Sequence, residues 1–211
     1  MEKTRLTSKE RKEQILENAV KIFACHGLSG ARTRDIAREC GVNEALLYRH
    51  FENKEDLFRQ SVEYTQAKLG KAIAHELRTA KTGIEALQKA MDFQVTNILH
   101  NPELSANMLH GFASSTINDE MRQWVKDWFT RHVGYIRMVL QRGVEDGTIR
   151  PDIDIETVVW QIQGGGWAFT FISVLGFEQE EVITLARNLY QDITDNIISE
   201  KGKKTLAGET G

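Results

Sequence analysis

The sequence predicts an all-α protein of about nine helices, and three observations carry that expectation. Apolar residues recur at helical spacing along nearly the whole 211-residue chain. There are only two prolines, Pro102 and Pro151, both at the edge of a periodic stretch, which is little turn punctuation for a β-rich fold. No segment reads as a strand, and no internal repeat is visible. A hydrophobic fraction of 41% with 27% charged residues allows one large domain, or two of which one is small.

Each element has its own signal. Thr7-Ser8-Lys9-Glu10 is a capping-box pattern, in which Glu10 can reach back to the Thr7 amide. The stripe Ile15, Leu16, Ala19, Val20, Ile22 and Phe23 follows, and Gly27 reads as the residue that stops the helix. A second, short helix runs from about Thr33, a good N-cap, to Cys40, with Ile36, Ala37 and Cys40 facing one way. Gly41-Val42 is a tight turn. A third helix runs from about Asn43 to Phe51, with Leu47 and Phe51 at i, i+4. Asn53 caps a fourth through Leu57, Phe58, Val62, Leu69 and Ile73. Beyond residue 80 come Ile84–Leu99, broken before Pro102, and then Leu104–Ala113. Asp119–Val144 buries Met121, Trp124, Val125, Trp128, Val133, Ile136, Val139 and Leu140, and is ended by Gly147 and Pro151. Ile155–Leu175 is strongly apolar and Val182–Ile198 is amphipathic. The polar, Gly-rich stretch from Lys201 to Gly211 is expected to be disordered.

The formal charge of −3 speaks against both a bulk-basic coat protein and an acidic disordered chain. The distribution is uneven. Residues 1–54 hold 11 basic and 8 acidic side chains, and the remainder holds 16 and 22. Two cysteines, Cys25 and Cys40, make no disulfide framework, and there is no CxxC to suggest zinc. A thiol switch and a pair of small buried hydrophobes both remain open for them. The polar opening MEKTRLTSKERKEQ does not read as a signal peptide, and no run reaches 18 apolar residues, so a soluble cytoplasmic protein with no membrane contact is expected.

The segment 33–51 is the most informative. Two short helices joined by a Gly-containing turn form the helix-turn-helix pattern. Gly41 permits the reversal where a Cβ would clash. Ile36, Ala37, Val42, Leu47 and Phe51 lock the helices together, leaving the outer face of the third helix free for a major groove. That face carries Asn43, Glu44, Ala45, Leu46, Tyr48, Arg49 and His50.

The stretch TRDIARECGVNEALLYRHFENKEDLF, with GV-x-x-x-x-LYRHF followed by NKEDL and the lead Gly27-Leu28-Ser29-Gly30-Ala31-Arg32-Thr33, resembles the N-terminal DNA-binding domain of the TetR family of transcriptional regulators. The match covers about Ser8 to Phe58. The resemblance implies a three-helix helix-turn-helix DNA-binding domain (1–54), a larger helical effector-binding and dimerisation domain (55–200) and the tail (201–211). It implies a homodimer on a palindromic double-stranded DNA operator, paired through helices at about 155–175 and 180–198. By position, Thr33 would cap the second helix and touch a phosphate, Arg34 would lie close to the backbone, and Tyr48, His50 and Lys54 would contact phosphates, fixing register without reading sequence. Asn43, Glu44, Ala45 and Leu46 occupy the base-reading positions. Asn43 suits adenine, Glu44 a cytosine amine and Leu46 a thymine methyl. Leu46 departs from the small or hydroxyl residue common there. Arg49 could serve phosphate or guanine, and Glu44 could instead only favour the helix dipole.

In the remainder, Phe93, Met108, Phe112, Trp124, Trp128, Trp167 and Phe171 are expected to line a pocket for a small apolar or amphipathic effector, the alternative being plain core packing. Gln94 and His110 are candidate polar anchors. Gly164-Gly165-Gly166 lies inside a helix, where each glycine costs about 1 kcal/mol relative to alanine. Close packing across a dimer, room for a ligand and a kink all remain open. No catalytic residue, metal or cofactor is expected. His75, His100, His110 and His132 are scattered, and neither HExxH nor GxSxG nor a Gly-rich phosphate loop occurs. The expectation is a ligand-released repressor, with an activator of the same family, or far less readily an enzyme using the helical cavity, as alternatives.

Overall fold

The computed structural model describes residues 6–116 and 118–208, and of residues 97–100 the backbone alone. Ten helices lie among the described residues: α1 (Ser8–Gly30), α2 (Thr33–Glu39), α3 (Glu44–Leu47), α4 (Lys54–Arg78), α5 (Gly83–His100), α6 (Pro102–Ser115), α7 (Asp119–Glu145), α8 (Ile155–Val174), α9 (Gln179–Ile197) and α10 (Glu200–Leu206). The all-α class is as the periodicity predicts.

The helix ends follow from capping chemistry. The Thr7 amide donates to the Glu10 carboxylate at 2.8 Å and the Glu10 amide to the Thr7 hydroxyl at 3.2 Å, completing the capping box. Gly27 breaks α1 at φ 67°, a left-handed conformation that favours glycine, and one further turn continues to Gly30. Asn53 accepts from the Asp56 amide at 2.7 Å and opens α4. Thr33 differs from expectation. The N-cap of α2 is Arg32, and the Thr33 hydroxyl points elsewhere. The third helix is also shorter than expected. After Leu47 the backbone tightens into turns, with the His50 and Phe51 amides both donating to the Leu47 carbonyl at 2.9 Å.

The chain divides into two compact units, Met1–Gly70 with Glu103–Val125, and Lys71–Pro102 with Lys126–Gly211. The expected domain boundary at residue 54 falls inside the first. That unit buries Ile15, Leu16, Phe23, Ile36, Leu47, Phe51, Leu57, Phe58 and Val62. Phe23 and Phe58 meet edge to face at 5.1 Å. Burial of such side chains stabilises by about 1.5–3 kcal/mol each. Cys40 is buried and Cys25 exposed, so the reading of both as small core residues holds for Cys40 alone. Burial pushes the Cys40 thiol up.

The second unit closes on α5, α7, α8 and α9 around Leu87, Met91, Leu140, Val159, Ile162, Phe169, Ile193 and Ile197. Two glycines of the triplet on α8 permit close approach. A Cβ at Gly165 would overlap the Leu189 side chain of α9, and one at Gly166 would overlap the Gln94 side-chain amide of α5. Gly164 meets nothing and lies on the exposed face. The close approach is thus within the chain at two of the three positions.

Residues 201–206 correct the expectation of disorder. Ser199 caps α10 by accepting the Gly202 amide at 3.0 Å, and Lys201 donates to the Asp146 carbonyl at 2.6 Å. A Cβ on the buried Gly202 would strike the Thr148 carbonyl, so glycine here permits contact between backbones. Glu209–Gly211 lie outside the described residues. No helix among the described residues is long and apolar enough to cross a membrane. No group of three or more His, Cys, Asp or Glu among them could hold a metal ion.

Candidate nucleic-acid interface

The turn between α2 and α3 is built by Gly41 at φ 65°, with the Val42 amide donating to the Ala37 carbonyl at 3.0 Å. It sets α3 against α2 over the buried Ile36, Ala37 and Leu47. The opposite face of α3 is solvent-exposed at Glu44 and Ala45, and Tyr48 and Arg49 continue it with Tyr48 half exposed.

Beside that face lies an open concavity of about 330 Å³, lined by Ala31, Arg32, Thr33, Arg34, Glu44 and Lys54. The Thr33 hydroxyl donates to the Glu44 carboxylate and stands 3.3 Å from the Tyr48 hydroxyl. Lys54 donates from Nζ to the carbonyls of Ser29 and Ala31, each at 3.3 Å, and so ties the start of α4 to the end of α1. Three cationic side chains therefore line one concavity with the Glu44 carboxylate and the Thr33 hydroxyl, and the Tyr48 hydroxyl stands beside Thr33. Such a set suits phosphate oxygens, which accept hydrogen bonds from Arg, Lys, Thr and Tyr.

The remaining positions divide. Asn43 accepts the Leu46 amide at 2.9 Å and caps α3. Its side-chain oxygen is therefore committed, whereas a bidentate adenine contact needs both amide atoms. Leu46 is half-buried, and Ala45 and Arg49 are exposed. His50 is half-buried against Phe51, ring centroids 6.2 Å apart. Lys12 stands 5.5 Å over the Phe51 ring from the other side. Arg32 belongs to the concavity but was not among the sequence candidates. Its place next to Thr33, at the start of a short helix, was the available signal.

The seven expected pocket residues fall into both units. In the first, Trp124 donates its indole N–H to Glu63 at 2.7 Å and packs edge to face on Phe58 at 6.2 Å. Met108 is buried and accepts from Gln66 through sulfur at 3.3 Å. Phe112 is half-buried on α6. His110 is no free anchor, because its Nε2 lies 3.2 Å from the Ala24 carbonyl, which can only accept. In the second unit, Trp128 meets Trp167 edge to face at 5.8 Å and stacks on His132 at 5.5 Å. Burial holds the His132 imidazole below its ordinary pKa. Phe93 is half-buried on α5. Phe171 is 54% exposed on α8, so it faces solvent rather than the unit's interior. Gln94 reaches the backbone of α8 at Gly166, where the Tyr190 hydroxyl also converges. Tyr190 and Gln163 are both buried, and the Tyr190 hydroxyl and Gln163 Oε1 have no hydrogen-bond partner in the structure.

Residues 15–60 match the family model for the bacterial regulatory proteins of the tetR family. That segment is thus a DNA-binding domain of the TetR type. Among its relatives, the nucleoid occlusion factor SlmA of Vibrio campbellii is 29% identical, over 67% of this chain and 72% of that protein. The HTH-type transcriptional repressor KstR2 of Mycolicibacterium smegmatis is 26% identical, over 74% of this chain and 76% of that one. The fold extends beyond the TetR domain. A transcriptional regulator from Saccharomonospora viridis in complex with choline superposes with a TM-score of 0.79 at 23% identity, covering 92% of this chain and all of that one. FadR from Bacillus subtilis in complex with stearoyl-CoA gives 0.74 at 18% identity, covering 86% and 96%. The chain thus carries an N-terminal TetR-type helix-turn-helix within an all-helical fold that it shares with solved transcriptional regulators.

Proposed function

We propose that this regulator is a repressor that binds a palindromic operator as a homodimer in the cytoplasm and is released by a small apolar or amphipathic ligand. The observation that carries the reading is the concavity beside α3. Arg32, Arg34 and Lys54 line it together with Thr33, whose hydroxyl stands 3.3 Å from that of Tyr48, next to an exposed helix face. This is a phosphate-holding edge against a base-reading edge, the two parts that operator binding requires. Arg34, Tyr48, Arg49 and Lys54 are assigned to the backbone and Glu44, Ala45 and Leu46 to base edges, with residues 1–54 as the DNA-reading head.

Dimerisation is supported by α8 and α9. Trp160, Phe171 and Leu175 of the α8 segment are exposed and, with Gly164, fall at spacings of four and seven residues, and α9 adds the exposed Leu185. Large apolar side chains concentrated in this way mark an association surface. The ligand reading is supported by the Trp128–Trp167–His132 cluster and by the buried Gln163 and Tyr190 polar atoms. Together they suit a molecule with an apolar body and a hydrogen-bonding group. Choline and stearoyl-CoA bound to structures of the same fold differ so widely that they do not narrow it further. Ligand would favour a dimer state whose recognition helices no longer match half-sites roughly 34–36 Å apart.

The test is a gel-shift titration on the DNA upstream of the chain's own gene. A saturable, salt-sensitive band that survives excess random competitor is expected. Tyr48→Phe and Lys54→Ala should weaken binding to every sequence and flatten the salt dependence. Absence of a sequence-selective band sinks the reading.

A further inference from the structure

Glu44 stands among hydroxyl and cationic groups that could hold a phosphate. Its carboxylate accepts a hydrogen bond from the Thr33 hydroxyl, and the Tyr48 hydroxyl stands 3.3 Å from the same Thr33 oxygen. The carboxylate also shares a concavity with Arg32, Arg34 and Lys54. A group that only stabilised the first turn of α3 would not need to reach across to α2. Asn43 already caps that turn through the Leu46 amide at 2.9 Å. The chain therefore carries its own anion among the donors that backbone binding uses.

We propose that Glu44 is a specificity-determining residue that keeps phosphate off Thr33 and Tyr48 until a base-edge donor draws its carboxylate away. The inference rests on reading the concavity as a DNA-backbone contact. A carboxylate can only accept hydrogen bonds. In the major groove, cytosine N4 and adenine N6 offer donors, whereas guanine O6 and N7 and thymine O4 offer acceptors. Facing cytosine, Glu44 exchanges the Thr33 hydroxyl for the N4 amine. Thr33 and Tyr48 are then free to donate to a phosphate oxygen. Facing guanine or thymine, Glu44 finds no donor and stays on Thr33, where it repels the phosphate. The correct base then adds its own contact and also releases the backbone clamp. Discrimination at that base pair is greater than one hydrogen bond supplies.

A simple base contact and this gate predict opposite effects on DNA of the wrong sequence. The experiment is fluorescence anisotropy of the full chain on a labelled random-sequence 30-base-pair duplex, titrated across salt. Glu44→Ala is expected to bind this duplex about tenfold tighter than the unsubstituted chain, which corresponds to about 1.4 kcal/mol. Glu44→Gln, which keeps the shape and removes the charge, should give part of the gain. Glu52→Ala removes the same charge from an exposed position outside the concavity, and should change affinity less than about threefold. Adding Thr33→Val to Glu44→Ala should cancel the gain. Random-duplex affinity for Glu44→Ala no greater than for Glu52→Ala, or a gain that survives Thr33→Val, overturns the gate while leaving DNA binding intact. Failure of the unsubstituted chain to bind any duplex overturns the DNA reading itself.

Discussion

Asn107, fully buried on α6, donates its side-chain amide to the Val20 carbonyl of α1 at 2.8 Å. One helical turn later, His110 stands against Gly27 with Nε2 at 3.2 Å from the Ala24 carbonyl. Two side chains of α6 thus grip α1, and Gly27 leaves space for the imidazole. Asn107→Ala removes a buried hydrogen bond and leaves a void. A loss of about 1–3 kcal/mol in urea unfolding is expected. Asn107→Asp places a carboxylate against a carbonyl and should cost more. An Asn107→Ala chain as stable as the original would show that the bond contributes nothing net.

Much of this architecture was legible beforehand, because caps and glycines act locally. The Thr7–Glu10 box, the Asn53 cap and the turn at Gly41 each depend on a few adjacent residues, and each stands where the pattern placed it. What escaped was long-range. Thr33 has the right chemistry for a cap, but Glu44, eleven residues away, takes its hydroxyl. The polar tail reads as disordered until the Thr148 carbonyl is brought against Gly202. Phe171 and Trp124 look like pocket residues because aromatic side chains carry no label for the face they occupy. One is on the surface and the other is held by Glu63. For Arg32 the local signal is weak, because its place beside Thr33 at a helix start is shared by many solvated arginines.

Gly83 opens α5 where a Cβ would fall on the backbone of Gly143 in α7. Backbone cannot swing aside as a flexible side-chain tip can. The Gly83 amide also donates to Asp146 at 2.6 Å, so a shift of α5 would break that bond as well. Gly83→Ala is expected to destabilise by at least about 3 kcal/mol, beyond the ordinary range for a single substitution. Gly70→Ala, where nothing stands within reach on the exposed side of α4, should instead be neutral or stabilising by up to about 1 kcal/mol through helix propensity. Paired thermal unfolding of the two variants checks the contrast. Equal effects would refute it.

His132 stacks on Trp128, and burial disfavours its charged form. Its folded pKa is therefore depressed below the unfolded value of about 6.5. As pH falls through that unfolded value, the unfolded chain takes up a proton that the folded chain refuses, so stability declines until the folded pKa is reached. Above about pH 7 the imidazole is neutral in both states and contributes no slope. His132→Phe keeps a ring against Trp128 and removes the proton. Denaturant unfolding between about pH 7 and pH 5 should then show a shallower loss of stability than in the unsubstituted chain. An unchanged acid slope would mean that His132 titrates alike in both states.

Tyr190 fills the junction of α5, α8 and α9. Its ring meets Phe169 edge to face at 5.9 Å, and its hydroxyl lies over Gly166. The ring contributes apolar packing, but the buried hydroxyl has lost its water without gaining a partner. Burial likewise drives its pKa upward, since a phenolate there would be worse still. Tyr190→Phe keeps the ring and removes only the unpaired group. The expected result is unchanged stability or a gain of about 1 kcal/mol, read as the urea midpoint at constant slope. The same change at a satisfied buried tyrosine would instead cost about 1 kcal/mol. A loss of that size for Tyr190→Phe would show that the hydroxyl is hydrogen-bonded in solution, with the Gln94 amide, which approaches the same point of Gly166, as the candidate partner.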